Sequence, residues 1–109
     1  MNSKTWDTPT TTQLFKAILG LKNLVEAKKF FRDLLTQEEI IEFAKRWQAA
    51  QMLQNKVPYS RIEAQTKLSS ATVARVAIWL NRGMGGYKLM LNRINSHHTN
   101  LTSFEKGLR

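Results

Sequence analysis

The sequence contains no cysteine, and only five glycines and two prolines interrupt its 109 residues. The absence of cysteine excludes disulfide bonds, thiolate metal ligands and a cysteine nucleophile. No stretch approaches the roughly 20 apolar residues that a membrane-spanning helix needs. The N-terminus also lacks the basic segment and apolar run of a secretory signal. We therefore expect a cytoplasmic protein with no membrane partner.

Acidic residues are scarce in the second half of the chain. Residues 1–55 contain eight Lys/Arg and six Asp/Glu, whereas residues 56–109 contain nine and two. The positive excess is therefore +2 in the first half and +7 in the second. A basic surface of this kind attracts polyanions, with nucleic acid as the first candidate and acidic membrane surfaces as the second.

Apolar residues recur at helical spacing almost everywhere, which predicts an all-α fold of about six helices. We expect a flexible arm over residues 1–10, a single helical domain over 11–95 and a disordered tail over 96–109. The second and third helices are predicted at about 24–34 and 37–55. Thr36, followed by Glu38 and Glu39, is typical of a helix start, because the hydroxyl accepts from free N–H groups and carboxylates complement the helix dipole.

The segment "VPYSRIEAQTKLSSATVARVAIWLNRG" predicts a helix-turn-helix at about 58–81. Its second helix is capped by Ser69 or Ser70. The face of that helix predicted to join the core consists of Val73, Val76, Ala77 and Leu80.

A DNA-reading helix needs small polar and basic residues that can approach base edges in the major groove. The residues predicted to contact bases, or to lie near them, are Ser69, Ser70, Thr72 and Arg75. Basic residues on the surrounding turns and helices suit phosphate contacts on either side of the groove. The residues predicted to contact phosphates are Lys56, Arg61, Lys67 and Arg82.

Three segments, "FFRDLLTQEEIIEFAKRWQAAQML", "YSRIEAQTKLSSATVARV" and "LNRGMGGYKLML", carry a family resemblance. In order and separation they resemble the YerC/YecD branch of the Trp-repressor-like family, over roughly residues 14–94. The resemblance implies an intertwined, all-helical homodimer in which each subunit presents a helix-turn-helix to double-stranded DNA. It also implies a role in transcription regulation.

The sequence departs from that family both in the helix-turn-helix and at the ligand pocket. Lys67 stands where a glycine is usual in the turn, and a lysine in the left-handed conformation there costs roughly 1 kcal/mol or somewhat more. Thr36, Arg46 and Arg75 match positions of the repressor's tryptophan pocket, which with Trp79 would form a remnant ligand pocket. Val76 and Trp79, however, replace a glycine and a serine and fill the space of the ligand, which argues against tryptophan binding.

Two of these pocket positions also have structural interpretations that involve no ligand. Arg46 can pair with a carboxylate or a helix end. Trp79 can be buried under the last helix, or it can keep an edge in water.

The remaining polar residues do not form a pattern typical of a metal site or an active site. His97 and His98 are adjacent in a polar tail without further ligands, so we expect no metal site. We expect no cofactor and no enzymatic activity, since no partnered nucleophile is present. The leading hypothesis is a sequence-specific DNA-binding transcriptional regulator. The alternatives are a helical protein-interaction or adaptor module without specific DNA binding, and an RNA-binding protein, which charge alone would support.

Overall fold

The computed structural model describes residues 5–96, which form six helices and no strand. Five of the helices are α1 (Pro9–Leu19), α2 (Leu24–Leu34), α3 (Gln37–Gln54), α4 (Tyr59–Thr66) and α5 (Ser70–Arg82). The sixth, α6, occupies residues 86–96. The predicted all-α fold is confirmed. Helix α1 begins earlier than expected, two residues inside the predicted arm, whereas α2 and α3 begin at the predicted residues 24 and 37. The predicted tail lies outside the described residues apart from its first residue.

Threonine side chains fix the starts of two helices. At α1, the N–H of Thr11 donates to the Thr8 hydroxyl oxygen, the N–H of Thr8 donates to the Thr11 hydroxyl oxygen, and Pro9 follows the cap. At α3, the Glu39 N–H donates to Thr36 Oγ1 at 3.1 Å, and the Thr36 N–H donates to Glu39 Oε1 at 2.9 Å. This reciprocal pair is a capping box, so the predicted helix start at Thr36 is confirmed.

The chain divides into two compact units, Met1–Ile41 and Glu42–Arg109, and α3 runs from the first into the second. In the first unit no residue of α1 or α2 is buried. Phe30 and Phe31 meet edge to face with their ring centroids 5.6 Å apart. Leu19 nevertheless remains 84 % exposed and Leu24 68 % exposed. The described residues of the first unit therefore have no buried core of their own.

The second unit contains the hydrophobic core. Ala49 and Ala50 of α3 are fully buried, and their small side chains leave room for neighbouring helices to approach. The other buried members of this core are Ile62, Leu68, Val73, Val76, Leu80 and Leu91. At its edge the rings of Trp47 and Tyr87 stack, with centroids 6.3 Å apart. The core thus joins the second part of α3 to α4, α5 and α6.

Candidate nucleic-acid interface

Helices α4 and α5 contact each other and are joined by a turn over residues 67–69. Ile62 and Thr66 are the buried residues of α4. The buried residues of α5 are Val73, Val76, Ala77 and Leu80. These four residues are the predicted core face of the second helix, which is confirmed. The remaining faces of α5 are therefore free of the core and available for another contact.

The turn between the two helices is held by a buried hydroxyl group. Thr66 is 1 % exposed, and its hydroxyl donates to the Ile62 carbonyl at 2.7 Å and accepts from the Leu68 N–H at 3.2 Å. The next residue, Lys67, takes the left-handed conformation with φ 63° and ψ 16°. The turn therefore keeps the backbone that glycine would favour, although a lysine occupies it. Lys56, after α3, has the same φ of 63°, which the sequence reasoning missed.

Ser69 is the residue that caps α5. Its side-chain oxygen accepts from the Thr72 N–H at 3.1 Å, and its hydroxyl lies 3.0 Å from the Thr72 hydroxyl oxygen. Thr72 is half-buried, while Ser70 and Arg75 are exposed. Of the four residues predicted to contact bases, Ser69 is the cap and the other three lie in the first two turns of α5, so the cap occupies the Ser69 oxygen. Ser70 and Arg75 consequently have the more available side chains.

Positive charge accumulates around this helix pair without acidic compensation. Within residues 56–96 the sole acidic residue is Glu63. Seven basic residues are exposed in the same range: Lys56, Arg61, Lys67, Arg75, Arg82, Lys88 and Arg93. In the described part of the chain the one ion pair joins Arg46 to Glu42, so none of these seven is neutralised by a carboxylate there. Of the residues predicted to contact phosphates, Lys56 follows α3 and Arg61 lies on α4. Lys67 lies in the turn and Arg82 at the end of α5.

The outermost line of α5 is more apolar than the sequence reasoning indicated. With 3.6 residues per turn, the side opposite the four buried residues carries Ala71, Ala74, Arg75, Ile78 and Arg82. All five are exposed, and Ile78 is 56 % exposed. The sequence reasoning sought polar residues and missed the two alanines and the isoleucine. The signal was present, because the position of the core face fixes the opposite face by geometry alone.

Two residues of the predicted remnant ligand pocket, Thr36 and Arg46, make contacts within the chain that involve no ligand. Thr36, in the first unit, uses its hydroxyl to cap α3. Arg46 Nε lies 3.5 Å from Glu42 Oε2, and its guanidinium carbon lies 5.6 Å from the Phe43 ring centroid. The ion-pair interpretation of Arg46 therefore has direct support.

Val76 and Trp79 of α5 differ in burial. Val76 is fully buried in the core. Trp79 is 42 % exposed, so partial exposure, rather than burial, is what the structure shows. Its ring lines an open, largely apolar groove together with Met84, Tyr87 and Met90. Whether any of these residues contacts a small molecule stays a prediction.

Tyr87, in the second unit, has a pKa that departs from its ordinary value. Burial raises the pKa of its phenol above the ordinary value of 10.0, because the charged phenolate is less well solvated. The positive charge of Arg46 lowers that pKa and so offsets a part of the effect. Tyr87 is therefore neutral around pH 7 and serves as a packing residue against Trp47.

The described residues contain neither a cluster of metal-ligating side chains nor a membrane-spanning helix. Nowhere between residues 5 and 96 do three or more His, Cys, Asp or Glu side chains gather as metal ligands would. The tail residues His97 and His98 lie outside the described residues. Over the same described range, no helix combines the length and the apolar character needed to cross a membrane.

Comparisons with known proteins indicate one family for this chain. The family model for Trp repressor protein matches residues 9–95. The uncharacterized protein YerC of Bacillus subtilis is 42 % identical over 91 residues, which cover 84 % of this chain and 88 % of YerC. The crystal structure of a TrpR-like protein from Eubacterium eligens superimposes with a TM-score of 0.80 at 40 % identity, covering 86 % of this chain and 96 % of that one. The crystal structure of a proposed Trp repressor from Staphylococcus aureus superimposes with a TM-score of 0.81 at 36 % identity, covering 87 % of this chain and 95 % of that one.

Proposed function

Since the chain belongs to the Trp repressor protein family, we propose that it is a sequence-specific DNA-binding transcriptional regulator. In this proposal α4 and α5 are the helix-turn-helix, and α5 enters the major groove of double-stranded DNA. The observation that carries the proposal is the surface of this helix pair. It combines a small-residue helix face with seven exposed basic side chains that no described carboxylate neutralises. The phosphates that line the major groove carry the opposite charge, and the groove is wide enough to admit an α-helix.

We further propose that the regulator is a homodimer. The first unit supports this, because large apolar side chains of α1 and α2, such as Leu19 and Leu24, are largely exposed and no residue of either helix is buried. A second copy of the chain would remove this apolar surface from water. A two-fold dimer would then bind two half-sites about one helical turn apart.

The proposal includes no enzymatic activity, no cofactor and a cytoplasmic location where DNA is the partner. Tryptophan is not proposed as a ligand. In the repressor a glycine and a serine leave room for it, whereas here the same positions carry the fully buried Val76 and the bulky indole of Trp79.

Salt dependence tests the electrostatic part of the proposal. If Lys56, Arg61, Lys67 and Arg82 each contact one phosphate in both subunits, eight counterions are released. The logarithm of the binding constant should then fall against the logarithm of salt concentration with a slope of about −7. Binding that is insensitive to salt would exclude the phosphate contacts.

Replacing Arg75 separates the regulator from the adaptor hypothesis. Arg75→Ala removes one base contact from each half-site of the proposed dimer, so it should weaken binding to a selected duplex by at least about 30-fold if Arg75 contacts a base. Arg93→Ala is the control for loss of charge alone, since it removes the same exposed charge from α6 and should weaken binding much less than Arg75→Ala does. An unchanged DNA affinity in Arg75→Ala, together with loss of a protein partner, would instead favour the adaptor module.

The dimer is tested by sedimentation of the whole chain. We expect twice the mass of the 12.6 kDa chain. Leu19→Glu should shift the population towards the monomer, whereas Gln13→Glu, which adds the same charge on the same helix, should not. A monomer at every concentration would contradict the proposed assembly.

A further inference from the structure

The outer face of α5 carries an apolar line that the phosphate and polar contacts above do not explain. Ala71, Ala74 and Ile78 are exposed, and the steps of three and four residues between them place them in one row along the helix. The row lies opposite the buried residues of α5. Ile78 leaves 56 % of its surface in water, which is unfavourable for an aliphatic side chain with no partner.

Charged residues frame this apolar line. Arg75 lies between Ala74 and Ile78 in sequence, Arg82 follows one turn after Ile78, and Lys67 stands in the turn before the helix. None of the three is paired with a carboxylate in the described part of the chain. An apolar protein surface would bury these charges at high cost. A polyanion that also presents an apolar group would pair with the three charged side chains and cover the apolar ones.

The major groove of DNA offers one apolar group, the C5-methyl group of thymine. Alanine methyl groups allow the helix backbone to approach base edges closely, and methyl-to-methyl contact is a recognised way to read thymine. Seven residues separate Ala71 from Ile78, which is about 10 Å along a helix. Successive nucleotides of one strand are about 3.4 Å apart, so the line can face about three of them.

We propose that Ala71, Ala74 and Ile78 recognise thymine methyl groups in each half-site. The inference rests on the proposed DNA-binding function and adds the chemical group that this helix face reads. Arg75 and Ser70 then supply hydrogen bonds beside an apolar contact. The operator half-site accordingly contains thymine at fixed positions, and part of the specificity comes from a group that forms no hydrogen bond.

Deoxyuridine substitution tests the contact, because it removes only the C5-methyl group and leaves the base-pairing edge and the O4 acceptor intact. A duplex is first selected from a random pool with the whole chain, and each thymine is then replaced singly. We expect a roughly fourfold loss of affinity, the equivalent of one buried methyl group, at one to three thymines in each half-site. Thymines outside the half-sites should show no effect.

Variants assign the effect to α5. In Ile78→Ala the ratio of the two dissociation constants, deoxyuridine over thymine, should fall to about one at one position, by the same one-methyl estimate. Ile94→Ala is the matched control, because Ile94 is a similarly exposed isoleucine on α6, at 46 %. There the ratio should persist. Ala71→Gly and Ala74→Gly extend the test to the other two methyl groups.

Each result bears on a different claim. An enriched duplex whose affinity is unchanged by every deoxyuridine substitution would overturn the thymine contact and leave the DNA-binding function standing. A methyl effect that survives in all three α5 variants, or an enriched consensus without thymine, would also overturn it. Failure to enrich any duplex would overturn the proposed function itself, and this inference with it.

Discussion

The lysine in the turn before α5 provides a test in which stability and DNA binding change separately. Lys67 has φ 63° and ψ 16°, where its Cβ crowds the backbone. This conformation costs an L-residue about 1–2 kcal/mol, and glycine avoids the cost. A glycine also makes the unfolded chain more flexible, and this effect offsets about 0.4–1 kcal/mol of the gain in stability. The net difference in favour of glycine over another uncharged L-residue is therefore about 0.5–1 kcal/mol.

Two variants isolate the two roles of Lys67. Lys67→Ala removes the charge and keeps the backbone strain, whereas Lys67→Gly removes both. We expect the glycine variant to be the more stable of the pair, with a melting temperature about 2–8 °C higher for a chain of this size. Both variants should lose the same phosphate contact, which lowers the salt slope of the dimer by about 1.8.

The comparison needs thermal melting by circular dichroism and DNA binding at several salt concentrations. Equal melting temperatures for the two variants would show that the strain of the left-handed turn is no larger than the roughly 0.4–1 kcal/mol by which glycine favours the unfolded chain, which would contradict the roughly 1–2 kcal/mol expected here. A salt slope that remains at its wild-type value in both variants would show that Lys67 does not contact a phosphate.

The remaining predictions concern single side chains. Ser69→Ala should destabilise the protein by about 1 kcal/mol in thermal melts, because the α5 cap is lost. Gly83→Ala should cost about 1–3 kcal/mol, since a Cβ there overlaps the backbone carbonyl of the preceding turn, whereas Gly86→Ala, with open space, should be nearly neutral; equal costs would refute the clash. The Tyr87 phenol should titrate above pH 10.0, and Arg46→Ala should raise its pKa further; an ultraviolet titration that moves downward would contradict the burial argument. Because its pKa is raised in the folded state, the free energy of unfolding should decline as the pH rises above 10.0.

Local signals in the sequence predicted much of the helical framework. The spacing of Val73, Val76, Ala77 and Leu80 predicted the buried face of α5, and all four are buried. Thr36 predicted the start of α3, where the capping box forms. Such predictions succeed because a helix period and a cap depend on residues only a few positions apart.

Features that depend on neighbouring elements were harder to predict. Lys56 is left-handed after α3, and nothing in its residue type indicates it. The sequence left Trp79 either buried or partly exposed, and its 42 % exposure depends on how the residues after α5 pack. No residue of α1 or α2 is buried, and helical spacing alone could not predict this, because it identifies an apolar face but not whether another element packs on it.

The most direct test of the central claim is selection of bound duplexes from a random DNA pool by the whole chain. The account predicts an enriched, palindromic consensus with half-sites about one helical turn apart, because two copies of α5 would read equivalent grooves. A pool that shows no enrichment after repeated selection would contradict sequence-specific recognition of DNA by α5.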